Sequence, residues 1–219
     1  MSTLITKPFS KKQPVCTETR NTLAATCRPH FFFNEEKETE MLCQRFFGRT
    51  LFTRELAALC GGNNSGEVDT TVGVDQSGIY LEYYHHQLDC VGTCLIYQAN
   101  GSRLVLSNEH TRFLHPAERE QKKRRWFSQQ KAACQSLGIA AIHVNAAKTS
   151  ISQGYYYYPL LGFNATLPES VTGLLPKKLT AFRTLAELYA HPQGKQLWFQ
   201  LGQPCQMTFE LFDNSPERK

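Results

Sequence analysis

Four consecutive tyrosines, Tyr155–Tyr158, precede Pro159 in the stretch GYYYYPLLGF, which ends at Phe163. A phenol stays protonated at neutral pH and donates a hydrogen bond or a proton to a facing acceptor. Exposed aromatic rings also stack on nucleic-acid bases, and buried rings fill a core. Consecutive residues on a helix point about 100° apart, so at most two of these rings face one site. Since proline disfavours the helical conformation of the preceding residue, we expect Tyr158 to leave helical geometry.

A run of four cations, Lys122–Arg125, is the second feature with chemical potential, in a chain of formal net charge +5. Such a cluster binds nucleic acid, anionic lipid or a phosphorylated cofactor, or it is simply a solvated helix face. The sequence leaves these alternatives open.

Two strand-like segments carry candidates for a general base. Glu109 and His110 are adjacent in LVLSNEHTRF, and strict alternation along a strand lets only one of them face a given site. Glu82 and His86 share a face of the preceding segment, where the carboxylate would orient the imidazole and raise its pKa. His85 lies on the same segment, and the base remains open among these five residues.

Composition limits the class of protein. At 219 residues with 41% hydrophobic and 20% charged residues, the chain is expected to form one ordinary domain with a buried core. It has no apolar run of membrane-spanning length and no apolar segment typical of a secretory signal. The eight cysteines are scattered and predict free thiols in a reducing, cytoplasmic compartment. Cys90 and Cys94 are close together but lack a second ligand pair, so no metal site is predicted.

The hydrophobic pattern divides the chain into a tail and one domain. Residues 1–30 are rich in Thr, Ser, Lys and Pro and predict a flexible tail, so the domain is expected over 31–219. A helical pattern follows the tail and ends at Gly61-Gly62, and the next stretch, NNSGEVDTTVGVDQSG, predicts a loop with one short strand.

From Ile79 the period changes to two, and the pattern predicts strands in IYLEYYHHQL, TCLIYQ and RLVLSNEHTRFL, with a hairpin turn at Asn100-Gly101. A helix over Glu120–Leu137, a buried strand in IAAIHVNAA, a helical insertion at about 174–202 and a last strand in CQMTFELFD follow. This order predicts an α/β fold with a mixed, mostly antiparallel central sheet flanked by helices.

The order of these elements, closed by YPLLGF, resembles the GNAT superfamily of N-acetyltransferases over roughly Met41 to Asp213. The resemblance is closest to a divergent group with an aromatic Gly-Tyr-Tyr…Gly-Phe segment. It implies an acyl-CoA-dependent N-acyltransferase, with acetyl-CoA as cofactor and an amine of unknown identity as acceptor. The cofactor would occupy a V-shaped opening between the central strand and the strand that follows the helix.

The resemblance also implies roles for particular residues. Counting back four residues from Gly162 makes Tyr158 the acid that protonates the leaving thiolate. Glu109 and His110 would lie next to the acyl site, Asn145 would bind the pantetheine arm, and Tyr155 is a candidate for contact with the cofactor.

The segment that would hold the cofactor's pyrophosphate departs from the family pattern, because no glycine lies between Gly101 and Gly138. Gln121 and the cations Lys122, Lys123, Arg124 and Arg125 stand there instead. Either these side chains replace the glycine-rich loop in binding the cofactor's phosphates, or the scaffold has lost its cofactor.

In the second case the protein would be a binding module whose cations and tyrosines contact nucleic acid or a protein partner. The Ser/Thr/Lys-rich tail also suggests an effector or toxin delivered into another cell. The sequence does not predict an oligomeric state.

Overall fold

A computed structural model describes residues 31–63, 67–75, 78–114, 119–148 and 154–212. The predicted flexible tail, 1–30, lies outside the described residues. Within these ranges the chain forms one seven-stranded sheet whose strands lie side by side in chain order. The strands are β1 Phe31–Phe33, β2 Val68–Val74, β3 Gly78–His85, β4 Cys90–Ala99, β5 Arg103–Phe113, β6 Ala141–Ala146 and β7 Cys205–Glu210.

The sheet is mixed and mostly antiparallel, which confirms the predicted α/β class. Only β1 with β2 and β5 with β6 pair in parallel, and the other neighbouring pairs are antiparallel. The β4–β5 hairpin turns at Asn100 and Gly101, whose φ angles of 42° and 93° lie in the left-handed region that asparagine and glycine tolerate. The predicted hairpin turn is therefore confirmed.

Seven α-helices surround the sheet in the described ranges. They are α1 Glu36–Phe47, α2 Thr53–Leu59, α3 Arg119–Ser136, α4 Gly154–Leu160, α5 Glu169–Thr172, α6 Leu185–Ala190 and α7 Gly194–Leu201, with a 3-10 turn at Lys177–Leu179. None of these described helices is both long and apolar enough to cross a bilayer. The segment between α4 and β7 is helical as expected, but its helices begin at Glu169.

Three details of the first 80 residues differ from the predictions. Phe31–Phe33 form a strand rather than part of a helix, because they pair with Thr70–Val72 of β2. The turn-rich stretch before Ile79 contains the seven-residue strand β2 rather than a loop with one short strand. The helical pattern is broken at Gly48, where a φ of 68° ends α1.

The two faces of the sheet have different environments. On β3, Ile79, Leu81, Tyr83 and His85 are buried, and this first face forms the core with α1, α2 and α3. Tyr80, Glu82 and Tyr84 alternate with them and are half-buried or exposed. We call the side that carries Tyr80 the second face.

Candidate active site

The two parallel strands β5 and β6 separate partway along their length. They pair from Val105 with Ala141 to Asn108 with Val144. Beyond Asn108, β5 continues to Phe113 alongside β4, and beyond Val144, β6 continues to Ala146 alongside β7. The inner edges of both strands therefore carry backbone donors and acceptors that are not used in the β5–β6 ladder. We call this gap the β5–β6 opening.

A β-bulge lies at the apex of the opening. Thr93 of β4 pairs with His110 and the next residue, Cys94, pairs with Asn108, so Glu109 is an extra residue in β5. Glu109 is exposed, and its carboxylate adds to the burial that raises the pKa of the Tyr80 and Tyr97 phenols, which belong to the second face.

His110 also lies on the second face, because it pairs with Thr93, which in turn pairs with Glu82. The bulge thus breaks the alternation that was expected to let only one of Glu109 and His110 face a site. Glu82, Thr93 and His110 form one row across three strands, and both ionisable members of the row are exposed.

His86 does not join this row. It follows the end of β3, and its Nε2 lies 3.1 Å from Oδ2 of Asp69. Its ring also makes an edge contact with Tyr84, with the centroids 4.9 Å apart. The predicted partnership with Glu82 is wrong: the carboxylate that orients His86 belongs to Asp69.

A buried amide pair fixes β5 at the last residue before the bulge. Asn108 Nδ2 donates to Oε1 of Gln130 at 2.8 Å, and Gln130 Nε2 donates back to Asn108 at 3.0 Å and to the Leu59 carbonyl at 2.8 Å. Both side chains are buried. This pair was not predicted from the sequence, although a glutamine on the apolar face of α3 was a usable signal.

A hydrogen bond between Tyr97 and His143, also not predicted, lies on the second face near the place where β5 and β6 begin to separate. The Tyr97 hydroxyl lies 2.9 Å from Nδ1 of His143. Burial lowers the pKa of His143, and the nearby Arg103 adds to that shift. The imidazole is therefore neutral at physiological pH, and its Nδ1 shares a hydrogen bond with the phenol. No local pattern pairs these two residues, because they lie on β4 and β6, which are joined only through β5.

Helix α4 continues through Tyr158 and contains Pro159, so the expectation that proline forces Tyr158 out of helical geometry is wrong. Proline at position 159 lacks the N–H that would bond the carbonyl of Tyr155, four residues earlier. That carbonyl instead accepts a hydrogen bond of 2.8 Å from Nε1 of Trp198 on α7. The indole replaces the missing helical donor, which explains how α4 tolerates the proline.

The Leu-Gly-Phe that follows has a local structural purpose. Phe163 N–H donates to the Tyr158 carbonyl and Gly162 N–H to the Pro159 carbonyl, the hydrogen-bond pair of a Schellman C-cap. Gly162 has a φ of 96°, where a side chain would be strained. The cap turns Phe163 into the core, where its ring contacts Tyr158, Phe127 and Phe209.

Tyr158 lies beside the end of β6. Its ring edge is close to Gly154, which itself sits against the backbone of Ala147, the residue after β6. Burial raises the pKa of its phenol to about 12, and Tyr157 adds to the shift. Among the described residues nothing hydrogen-bonds its hydroxyl, so a protonated donor is held near the opening without a protein acceptor.

The other three tyrosines are used in packing α4. The Tyr155 hydroxyl donates to the Phe199 carbonyl at 2.8 Å, and the Tyr157 hydroxyl donates to the Glu120 carbonyl of α3 at 3.4 Å. Tyr156 packs edge-on against Phe199 with ring centroids 5.2 Å apart. Tyr155 is buried and its hydroxyl is bonded inside the protein, so it presents little surface for the predicted contact with a cofactor.

The chain's own groups engage three of the four cations in the basic run. Lys122 Nζ lies 3.2 Å from Asp89 Oδ2, and Arg125 donates to the Gln87 amide at 3.1 Å. Lys123 is half-buried with its Nζ 4.4 Å from the centre of the Tyr157 ring, and burial lowers its pKa. Arg124 and the preceding Gln121 are exposed. The run therefore ties α3 to the β3–β4 turn and to α4.

Asn145 is exposed on β6, one residue beyond the last β5–β6 pair. The structure therefore brings Glu109, His110 and Asn145 to the part of the sheet where β5 and β6 separate, and α4, which carries Tyr158, begins beside the end of β6. No family model matches the chain, and no curated protein is similar to it, so the function must be argued from this geometry.

Proposed function

We propose that the protein is an acyl-CoA-dependent N-acyltransferase whose site is the β5–β6 opening. The observation that carries the proposal is the separation of two parallel strands beyond Asn108 and Val144, with a bulge at the apex. A gap of this kind offers two backbone edges to an extended chain with amide groups, such as pantetheine. The resemblance to the GNAT superfamily, which implies a cofactor between these two strands, supports the proposal.

The backbone edges of β5 and β6 and the Asn145 side chain are better placed to contact acyl-CoA than the basic run at 122–125. Asn145 is exposed where β6 leaves β5, so its amide would meet the amides of the cofactor arm. Lys122 and Arg125 already have partners and would have to share them with a phosphate. When bound, acetyl-CoA would supply an acyl group activated as a thioester.

The roles of the chain's own residues follow from their positions. Glu109, at the bulge, would accept a proton from the attacking ammonium, directly or through water. Backbone N–H groups left unpaired beside the bulge would stabilise negative charge on the acyl oxygen. Tyr158, protonated at neutral pH, would donate its phenolic proton to the departing sulfur.

The alternative, a nucleic-acid-binding module, gains less support from this geometry. Binding to phosphates needs cations free to approach the backbone of the nucleic acid. Three of the four cations at 122–125 already contact Asp89, Gln87 and Tyr157. The tyrosines 155 and 157 are buried rather than presented for stacking.

Titration with acetyl-CoA tests the proposal. A ligand that binds only the folded state raises the melting temperature in proportion to the logarithm of its concentration. We expect such a rise with acetyl-CoA, and we expect Lys122→Ala with Lys123→Ala to reduce it. Lys131→Ala is the matched control, since Lys131 lies further along α3 over Phe209. If no acyl-CoA raises the melting temperature at millimolar concentration, the enzyme proposal fails.

Turnover then tests the two catalytic assignments. With a panel of amines as acceptors, Tyr158→Phe and Glu109→Gln should each lower kcat by about 10²–10⁴-fold, the usual contribution of a positioned acid or base. Tyr156→Phe removes an equivalent hydroxyl from the same helix and should leave kcat unchanged.

A further inference from the structure

Lys123 lies where α3 meets two other elements. Its Nζ is 6.0 Å from the centre of the Phe113 ring, at the end of β5, and 4.4 Å from the centre of the Tyr157 ring on α4. The side chain is half-buried. The amine therefore lies between two aromatic rings, with most of the side chain removed from water.

The Lys123 amine has no anionic or hydrogen-bonding partner in the described part of the chain. No described residue forms an ion pair with it or accepts a hydrogen bond from its Nζ. The neighbouring Lys122 differs, because its Nζ lies 3.2 Å from Asp89 Oδ2. The Lys123 nitrogen is also not among the unpaired polar atoms that the protein encloses completely, so it reaches the surface.

The surroundings of Lys123 disfavour a positive charge on it. Arg119 is four residues earlier on α3, so the two cations share one face of the helix, and Glu120, which opposes the effect, is exposed. The Tyr157 phenol stays protonated because burial raises its pKa, and Phe113 carries no charge. Burial first, and then Arg119, lower the pKa of Lys123, because lost hydration outweighs the attraction of a cation to the ring faces.

A lysine in this setting can act as a nucleophile. Loss of hydration and a neighbouring cation are the two conditions that activate lysine amines, because both favour the neutral form that attacks. The charge of the product also matters. An amide is neutral and ends the cost of holding a charge beside Arg119, whereas an imine formed with an aldehyde takes up a proton and stays cationic. Acylation is therefore favoured over imine formation.

We propose that Lys123 is a site of covalent acylation by acyl thioesters. The neutral Nζ attacks the thioester carbonyl carbon, a C–N bond forms and the C–S bond breaks. The nitrogen gives up one proton and the departing thiolate takes one up, so the products are an amide and a free thiol. The reaction needs neither a second amine nor bound coenzyme A, so it is independent of the proposed enzymatic function.

The acetyl thioester of N-acetylcysteamine is a suitable probe, because it carries the reactive group without the nucleotide part of coenzyme A. With the full chain at neutral pH, we expect peptide mass spectrometry to show Lys123 acetylated at least about threefold faster than Lys131, since each unit of pKa changes the neutral fraction about tenfold. Lys131 is the matched control, because its Nζ also lies over a ring, 4.8 Å from the centre of Phe209. The rate at Lys123 should level off below pH 10.5, the ordinary pKa of a lysine.

Variants test the cause of the reactivity. Lys123→Arg keeps the positive charge and should remove the fastest phase of acetylation of the intact protein. Arg119→Gln removes the neighbouring cation, so it should slow acetylation of Lys123 and move the levelling-off of the rate to higher pH. Arg54→Gln makes the same charge change at an exposed residue of α2 and should leave the rate at Lys123 unchanged.

Any of three results would overturn the proposal: acetylation of Lys123 no faster than that of Lys131, a rate at Lys123 that still rises steeply at pH 10.5, or equal effects of Arg119→Gln and Arg54→Gln. Thermal unfolding checks that each variant folds. If Arg119→Gln fails to fold, the comparison of Lys123 with Lys131 in the parent chain still decides the outcome. Selective acetylation of Lys123 in a chain that acetyl-CoA does not stabilise would support this site while the enzyme proposal fails.

Discussion

The hydrogen bond from Trp198 to the Tyr155 carbonyl should be thermodynamically coupled to Pro159. Trp198 is fully buried, and its Nε1 donates at 2.8 Å to the carbonyl that Pro159 cannot serve. Trp198→Phe leaves that carbonyl unpaired, which costs about 1–3 kcal/mol of unfolding free energy. The smaller ring adds a cavity term of about 24 cal/mol per Å³. For a chain of this size each 1 kcal/mol lowers the melting temperature by about 2–4 °C.

Pro159→Ala restores a backbone N–H that can reach the Tyr155 carbonyl. In that background Trp198→Phe should lose only the packing contribution, because the carbonyl keeps a donor. The cavity term cancels in a double-mutant cycle, and we expect a coupling energy of about 1–2 kcal/mol. Urea unfolding of the parent chain, both single variants and the double variant measures it.

Trp126→Phe provides the matched control. Trp126 is also buried, and its Nε1 donates at 3.1 Å to the carbonyl of Cys60, the residue after α2, and not to a group of α4. Trp126→Phe should lower the unfolding free energy by the same amount with proline or alanine at position 159. If Trp198→Phe also costs the same in both backgrounds, the indole does not replace the missing helical bond and the explanation of α4 is refuted.

Three further substitutions test other parts of the structure. Gln130→Leu should lower the unfolding free energy by about 2–4 kcal/mol in urea titrations, because it leaves the Asn108 amide buried and unpaired; a loss below about 1 kcal/mol would contradict this. Gly162→Ala should lower the unfolding free energy by about 1–2 kcal/mol, since φ is 96° and a Cβ would lie 3.0 Å from the Phe209 ring. An unchanged melting temperature would show that alanine is not strained at this position. Burial lowers the pKa of His85 below its ordinary value of 6.5, so the unfolded chain binds more protons and stability falls as pH drops through and below 6.5. His85→Gln should flatten that acid limb in unfolding measured across pH, and an unchanged pH dependence would refute the assignment.

The parts of the sheet that depend on a local sequence pattern could be predicted. Period-two alternation from Ile79 and the Asn100-Gly101 turn depend on residues close in sequence, and both are confirmed. β1 was missed, and β2 was expected only as one short strand, because their pairing is long-range: Phe31–Phe33 are a strand only through contact with Thr70–Val72.

The site was less predictable because it depends on departures from regular geometry. The sequence selected Glu109 and His110, but the bulge that puts both on one face is set by the register of β4 against β5. Likewise, Pro159 reads locally as a helix breaker, and only a donor from Trp198 makes a helix possible there. No local sequence pattern predicts the bulge or the hydrogen bond from Trp198.

The contacts of the helical insertion indicate that it supports α4. Trp198 donates to the Tyr155 carbonyl, the Tyr189 hydroxyl donates to the Tyr156 carbonyl, and the Tyr155 hydroxyl donates to the Phe199 carbonyl. These bonds join α6 and α7 to the helix that carries Tyr158. Since the Tyr158 hydroxyl makes no bond to a described residue, its position depends on that of α4. Changes in the insertion that break these bonds should therefore affect the proposed proton donation at the β5–β6 opening before they affect the sheet, whose strand β5 is held separately by the Asn108–Gln130 pair.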